Sequence, residues 1–213
     1  IENDNHEGAI TEQEYKKRIS SIKKYAKNED EIKSSLKLLE KAFKPLREYA
    51  KISCWHLNEH ENIAMWNYYQ GKDKGIAIET TSRKLENSVG SYRIKETYGE
   101  ETIHLGRIKY IDYETESMDS KYSFLTPFLY KRKPYSYENE LRMITSLRMA
   151  VEYGVETPKN AILVPFDTEN AINRIILSPQ VDDEMENKVQ GILKKHNSKI
   201  PIEYSGLMKK PKY

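Results

Sequence analysis

The period of the hydrophobic pattern changes at Lys51, and that change decides which folds are open to the chain. Before it, Tyr15, Ile19, Ile22 and Ala26 recur at helical spacing, and Ile32, Leu36, Leu39, Phe43 and Leu46 repeat at intervals of four, three, four and three. Residues 11–50 therefore read as two helices, with Thr11 as N-cap, Glu14 completing a capping box and Asn28-Glu29-Asp30 marking the break. After it, short β-branched and aromatic runs read as strands over 52–57, 75–80, 106–113, 137–147, 161–165, 174–178 and 200–204. Asn62 is placed to cap a short helix through Tyr69, residues 120–130 read as a short helix interrupted by Pro127, and Asp182 caps a helix striped by Met185, Val189, Ile192 and Leu193. Helices, then mostly strands, then a strand-helix-strand unit give an α+β class with a mixed, largely antiparallel sheet and an N-terminal helical pair. The expected organisation is a helical segment over 1–50, an α+β core domain over 51–207 and a basic tail over 208–213. Each N-terminal helix needs a cover for its stripe: the other helix, the sheet, or a second copy in a homo-oligomer.

A chain of 213 residues is the size of one domain and can bury a core without staples. Its one cysteine, Cys54, excludes an internal disulfide and a cysteine-rich zinc site, which fits a reducing, cytoplasmic setting. No apolar run approaches the roughly 18 residues of a membrane span. The polar opening Ile1-Glu2-Asn3-Asp4 does not read as a signal peptide, and a start without Met leads us to expect a preceding segment. A formal charge of +2 is too small to announce a nucleic-acid binder. Nucleotide-binding glycine motifs, zinc-protease and serine-hydrolase signatures are absent. His56 and His60 are four apart but straddle a strand-to-loop boundary, so no metal site is expected there. Cys54 reads as a small buried hydrophobe in its strand.

Three motifs remain. Cys54-Trp55-His56, Met65-Trp66-Asn67-Tyr68-Tyr69 and Lys74-Gly75-Ile76 read as strand, helix, strand. Trp66 and Tyr69, three apart on one helix face, are either core or the aromatic wall of a pocket for a planar ligand. In Tyr135-Ser136-Tyr137-Glu138-Asn139-Glu140-Leu141-Arg142, a strand would put Glu138, Glu140 and Arg142 on one face about 7 Å apart. Leu141, Met143, Thr145 and Leu147 would take the other face to the core. The polar face is either an ion-paired surface ladder or a site in which a carboxylate works and the guanidinium binds an anion. Lys131-Arg132-Lys133 is either a solvated loop or a phosphate contact.

In order and spacing these motifs resemble a bacterial family, the domain of unknown function numbered twenty-nine seventy-one. It shares a Met-Trp-x-x-Tyr helix, a Lys-Gly strand, a lysine before an aromatic-x-Tyr-Glu-x-Glu-x-Arg strand, and an Ile-Ile-Leu-Gly strand. Here the counterparts are Met65 to Tyr69, Lys74-Gly75-Ile76, Ile108-Lys109-Tyr110, Lys133 to Arg142, and Ile175-Ile176-Leu177-Ser178. Trp55-His56 stands where the family has Phe-Ser, and Ser178 where it has Gly. Asp4-Asn5-His6-Glu7-Gly8 echoes the end of the family's opening segment. The resemblance implies a context of mobile elements and phage defence, as a toxin or effector.

The chemistry expected first is of ADP-ribosyltransferase type, with NAD as substrate and no permanently bound cofactor. Breaking the nicotinamide–ribose bond builds oxocarbenium character that a carboxylate stabilises. Glu140 would be that carboxylate and Glu138 the base for the acceptor. Trp66 or Tyr69 would stack on a ring, Arg142 or Lys74 would hold the pyrophosphate, and Tyr137 would complete the substrate-binding set. The alternatives are a non-catalytic module that binds a nucleotide, nucleic acid or another partner, and a metal-dependent nuclease using Glu79, Glu138 and Glu140.

Overall fold

The computed structural model describes residues 4–43, 46–69, 75–96, 98–119 and 124–211; the side chains of 42 and 43 are outside that description. In chain order the elements begin with α1 (Glu12–Tyr25), α2 (Glu29–Phe43), α3 (Leu46–Tyr49), β1 (Ala50–His56), α4 (Ile63–Tyr69), β2 (Ile76–Glu79) and α5 (Ser82–Ser88). Next come β3 (Tyr92–Arg93), β4 (Glu100–Glu101), β5 (His104–Arg107), β6 (Lys109–Ile111), β7 (Tyr130–Arg132) and β8 (Glu140–Ser146). The last are α6 (Arg148–Glu152), α7 (Thr168–Ala171), β9 (Arg174–Leu177), α8 (Asp183–Lys195) and β10 (Ile202–Tyr204). The class is α+β, with helices and several small, mostly antiparallel sheets in place of one continuous sheet. The chain divides into two compact units, 1–57 with 91–163 and 58–90 with 164–213, so α1 and α2 belong with the first sheet. No helix among the described residues is long and apolar enough to cross a membrane.

The caps form as local chemistry dictates. Thr11 Oγ1 accepts from the Glu14 N–H at 3.3 Å. Asn28 and Glu31 make a reciprocal cap at the head of α2: Glu31 N–H donates to Asn28 Oδ1 at 2.9 Å, and Lys27 N–H to Glu31 Oε2 at 2.7 Å. α1 and α2 pack on each other, leaving Ile19, Ile22, Ile32, Leu36 and Leu39 half-buried. Leu46 is buried, in α3 rather than at the end of α2.

The first unit is organised on β8, the centre of the antiparallel sheet β1-β8-β5. Cys54 and Gly106 flank Arg142, His56 lies opposite Glu140, and Ile52 and His104 flank Ile144. Opposed residues share a face. Leu46, Phe128 and Ile144 form a core on that face, brought by the 3-10 turn Thr126–Leu129. Gly106 admits this turn, because a Cβ there would stand 2.7 Å from Leu129 Cδ2. Gly8 lets the N-terminal segment pass close to the same turn: its φ is +70°, and a Cβ would fall 2.4 Å from Phe128 Cε1.

The second unit holds the mixed sheet β10-β9-β2, with β9-α8-β10 as the parallel strand-helix-strand unit read from the sequence. Ala171, Ile172, Ile175, Leu177, Val189 and Ile200 form its core. Asp182 caps α8, accepting from Met185 N–H at 3.0 Å, and Asn62 caps α4, accepting from Ala64 N–H at 2.9 Å.

Several expected strands are corrected. Residues 106–113 break into β5 and β6 at Ile108, whose N–H donates across to Glu140 O at 2.9 Å. Residues 161–165 form no strand, and Leu163 is 93% exposed, so no core holds that run in place. Of the helix expected over 120–130, residues 120–123 lie outside the described set and the rest is the 3-10 turn carrying Pro127. The strand expected from Tyr137 starts only at Glu140, because Lys133–Glu138 is a 3-10 turn.

Candidate functional site

Asn139 makes the site. It takes the left-handed conformation (φ 40°, ψ 57°) between the 3-10 turn and β8, a region asparagine tolerates better than most residues. Its backbone N–H donates to Ser136 O at 3.2 Å and its carbonyl accepts from Leu57 N–H at 2.9 Å. Its side chain bonds to Leu57 O and accepts from Arg107 Nη2 at 3.0 Å. The left-handed residue curls the chain, so Glu138 and Glu140 do not stand about 7 Å apart as strand neighbours would. Their side chains instead converge on one lysine. Asn139→Ala is expected to destabilise the unit by about 1–2 kcal/mol from the left-handed backbone alone, and more from the two lost side-chain bonds. Asn139→Gly should recover only the backbone share. Urea unfolding of both variants checks the order.

Lys131, on β7, is that lysine. Its ammonium pairs with Glu138 Oε2 and with Glu140 Oε1 at 2.7 Å, and lies 4.8 Å from the Tyr135 ring centre. Glu140 Oε2 accepts from Arg142 Nε at 2.7 Å. Arg142 Nη1 also donates to Phe128 O at 2.7 Å and pairs with Glu7 Oε1 at 2.6 Å. Neighbouring backbone is tied in as well: Glu140 N–H donates to Tyr110 Oη at 2.8 Å, and His56 Nδ1 meets Glu138 O at 2.6 Å. Lys131, Glu138, Glu140 and Arg142 are 8%, 4%, 4% and 1% exposed. Both faces of β8 are therefore buried, and of the readings the sequence left open the solvent-exposed ladder is ruled out.

Three carboxyls, Glu7, Glu138 and Glu140, surround two cations, Lys131 and Arg142. With every group ionised the cluster carries one negative charge in excess; a proton on Glu138 balances it. Burial and the neighbouring Glu140 carboxylate raise Glu138 above the usual carboxylate range, against the pull of Lys131. Burial also opposes the charge on Glu140, but its hydrogen bonds with Arg142 and Lys131 prevail and hold it well below the usual carboxylate range. Lys131 is likewise raised despite burial, by Glu138 and Glu140. The two carboxyls thus differ sharply in proton affinity, the pattern that separates an acid from a base at one site.

This split has a stability consequence. Above the ordinary carboxylate pKa, where the unfolded chain has lost it, a Glu138 with raised proton affinity keeps its proton in the folded chain. Stability is therefore expected to fall as pH rises from the ordinary carboxylate pKa to the raised one. Glu140 acts with the opposite sign: its contribution is present above its unfolded pKa and is lost as pH falls. Glu138→Gln, which mimics the protonated acid, should flatten the decline at rising pH in a series of melting curves.

The other basic residues of the run are also paired: Arg132 Nη2 with Asp4 Oδ1 at 2.8 Å, and Lys133 with Glu116. The run Lys131-Arg132-Lys133 is thus held by acids within its own unit rather than presented as a phosphate contact. Cys54 is exposed, contrary to the sequence expectation. Desolvation of its thiol, with the Glu140 carboxylate near by and against the pull of Arg142, pushes its pKa up to about 12, which opposes formation of a thiolate.

Glu138, Glu140 and Arg142 are brought together as the sequence suggested. Tyr137 lies on the 3-10 turn and is 42% exposed. Trp66 and Tyr69 belong to the second unit. Trp66 is core there, its Nε1 donating to Glu61 Oε2 at 3.0 Å, while Glu61 also accepts from Ser205 Oγ at 2.6 Å. It offers no free face for stacking a ligand. Lys74 lies outside the described residues. The sequence reading missed Asp4, Glu7 and Lys131 as members of the network; only the echo of a family segment at Asp4 to Gly8 marked the first two. Glu79 is tied to Arg174 at 2.6 Å, and no group of three His, Cys, Asp or Glu side chains able to hold a metal ion occurs among the described residues. No protein-family model, curated protein or solved structure matches the chain.

Proposed function

We propose that the first unit carries an acid–base site of ADP-ribosyltransferase type, in which Glu138 and Glu140 act on the nicotinamide–ribose bond of NAD. The observation that carries this reading is the carboxyl pair itself: two buried carboxyls meet on Lys131, and Glu140 alone also takes Arg142, a setting that pushes their proton affinities in opposite directions. The electron pair of the breaking bond leaves with nicotinamide, and the ionised Glu140 stabilises the positive charge growing on the sugar. An acceptor oxygen bonds to the sugar carbon as its proton passes to Glu138, whose raised proton affinity suits the transfer. Arg142 positions Glu140 and does not hold pyrophosphate, because Glu140, Glu7 and Phe128 O already engage it. The order of the sequence motifs, with its family resemblance, bears on context alone, a role as a defence effector or toxin, and not on the reaction.

A second reading is carried by the burial of all four residues: the network is a structural core, and the protein is a non-catalytic binding or interaction module. Nicotinamide release from NAD, followed together with melting of the chain, separates the two. Under the first reading the wild type releases nicotinamide and Glu138→Gln, with its fold retained, does not. Release unchanged in Glu138→Gln, or none from a well-folded wild type, leaves the structural reading standing.

A further inference from the structure

A cavity of about 320 Å³ in the first unit, separate from the carboxyl pair, is lined by Glu101 of β4, Phe124, Leu125, Thr145, and Arg148 and Met149 of α6. Two of these residues carry buried polar atoms without a hydrogen-bond partner, and they bear opposite charge. Arg148 uses Nε on Glu152 at 2.7 Å and stacks its guanidinium 4.0 Å from the Phe124 ring centre, yet Nη1 has no partner. Glu101 meets the Tyr98 hydroxyl, yet Oε1 has no partner. Of the other acids in the wall, Glu100 accepts from Ser91 Oγ at 2.7 Å and from Arg93 Nη2 at 2.6 Å, and Glu152 holds Arg148 Nε.

Buried polar atoms without partners are uncommon because each forfeits its hydration. A donor and an acceptor of opposite charge, carried by two residues of one cavity wall and set just behind its accessible surface, would both be satisfied by a ligand that brings the two complements. We propose that this cavity binds a free α-amino acid with an apolar side chain. Its carboxylate meets Arg148 Nη1, its ammonium meets Glu101 Oε1, and its side chain lies against Phe124, Leu125 and Met149. The volume falls within the range of small-ligand sites, and mixed charge with an apolar floor excludes a simple anion or a hydrocarbon. Both atoms are shielded from solvent, so the ligand reaches them through rotation of side chains that are themselves partly exposed. The inference is independent of the NAD reading.

Isothermal titration of the whole chain with L-leucine, L-methionine and L-phenylalanine tests it. At least one should bind saturably. For the best of them, the analogue lacking the carboxylate and the analogue lacking the amine should each bind at least roughly tenfold more weakly, since each leaves one charged partner unmatched. Arg148→Met and Glu101→Gln should show the same loss, with melting curves confirming that they fold. The analogue comparison uses only the wild type, so it stands whatever the variants do. Absence of saturable binding by all three amino acids, or equal binding of the analogues, overturns the proposal.

Discussion

Arg142→Met is expected to destabilise the first unit by about 3–5 kcal/mol, the range for removing one partner of a buried ion pair. Arg142 is 1% exposed and is held by Glu140, Glu7 and the Phe128 carbonyl. Methionine fills the space of the stem but leaves Glu140 with only Lys131 and leaves the carbonyl unbonded. The loss should lessen as pH is lowered, because the stranded carboxylate can then take up a proton. Denaturant unfolding at two pH values measures both effects. A cost below about 1 kcal/mol, typical of an exposed pair, would show that the network is solvated and not a buried one.

Glu140→Gln carries the second large effect. If Glu140 stabilises the developing sugar cation, its neutral isostere should lower nicotinamide release by about 10²–10³-fold, comparable to removing one preorganised electrostatic stabiliser. Stability should fall as well, since Glu140 accepts from both Lys131 and Arg142. The rate must therefore be referred to folded protein, measured well below the melting transition. A rate loss matched by the lost folded fraction would assign Glu140 to structure. A far greater rate loss would assign it to chemistry. Glu138→Gln gives the contrast, because it leaves Glu7 and Glu140 balanced against Lys131 and Arg142 and should cost little stability above the raised pKa of Glu138.

Local features of the fold were legible where local chemistry decides them. Thr11, Asn62 and Asp182 each bond the backbone of the helix they were expected to cap, and the stripe of α8 buries Val189. The strand-helix-strand unit was legible because its two strands and helix follow one another directly. The break at Asn139 was not, since the spacing of Glu138, Glu140 and Arg142 reads as one strand face and only the polar residue between the two glutamates departs from it. The partners of Arg142 were harder still. Glu7 is far away in sequence, and Phe128 contributes a carbonyl, which no side-chain motif records. The spacing of Glu138, Glu140 and Arg142 marked them as one polar group but left open a surface ladder or a site, and the structure shows them buried. Trp66 and Tyr69 were joined to that cluster by the attraction of aromatic residues for ligands, whereas Trp66 uses its indole N–H on Glu61 inside the second unit.

The central claim is that two adjacent carboxyls hold their protons at very different pH. Carbon-13 side-chain carboxyl shifts of Glu138 and Glu140, assigned with the Glu138→Gln variant and followed from pH 3 to pH 9, test it most directly. The expected result is one carboxyl titrating well above the ordinary value, absent in Glu138→Gln, and the other well below it. Two carboxyls titrating together near the ordinary value of about 4.3 would contradict the account.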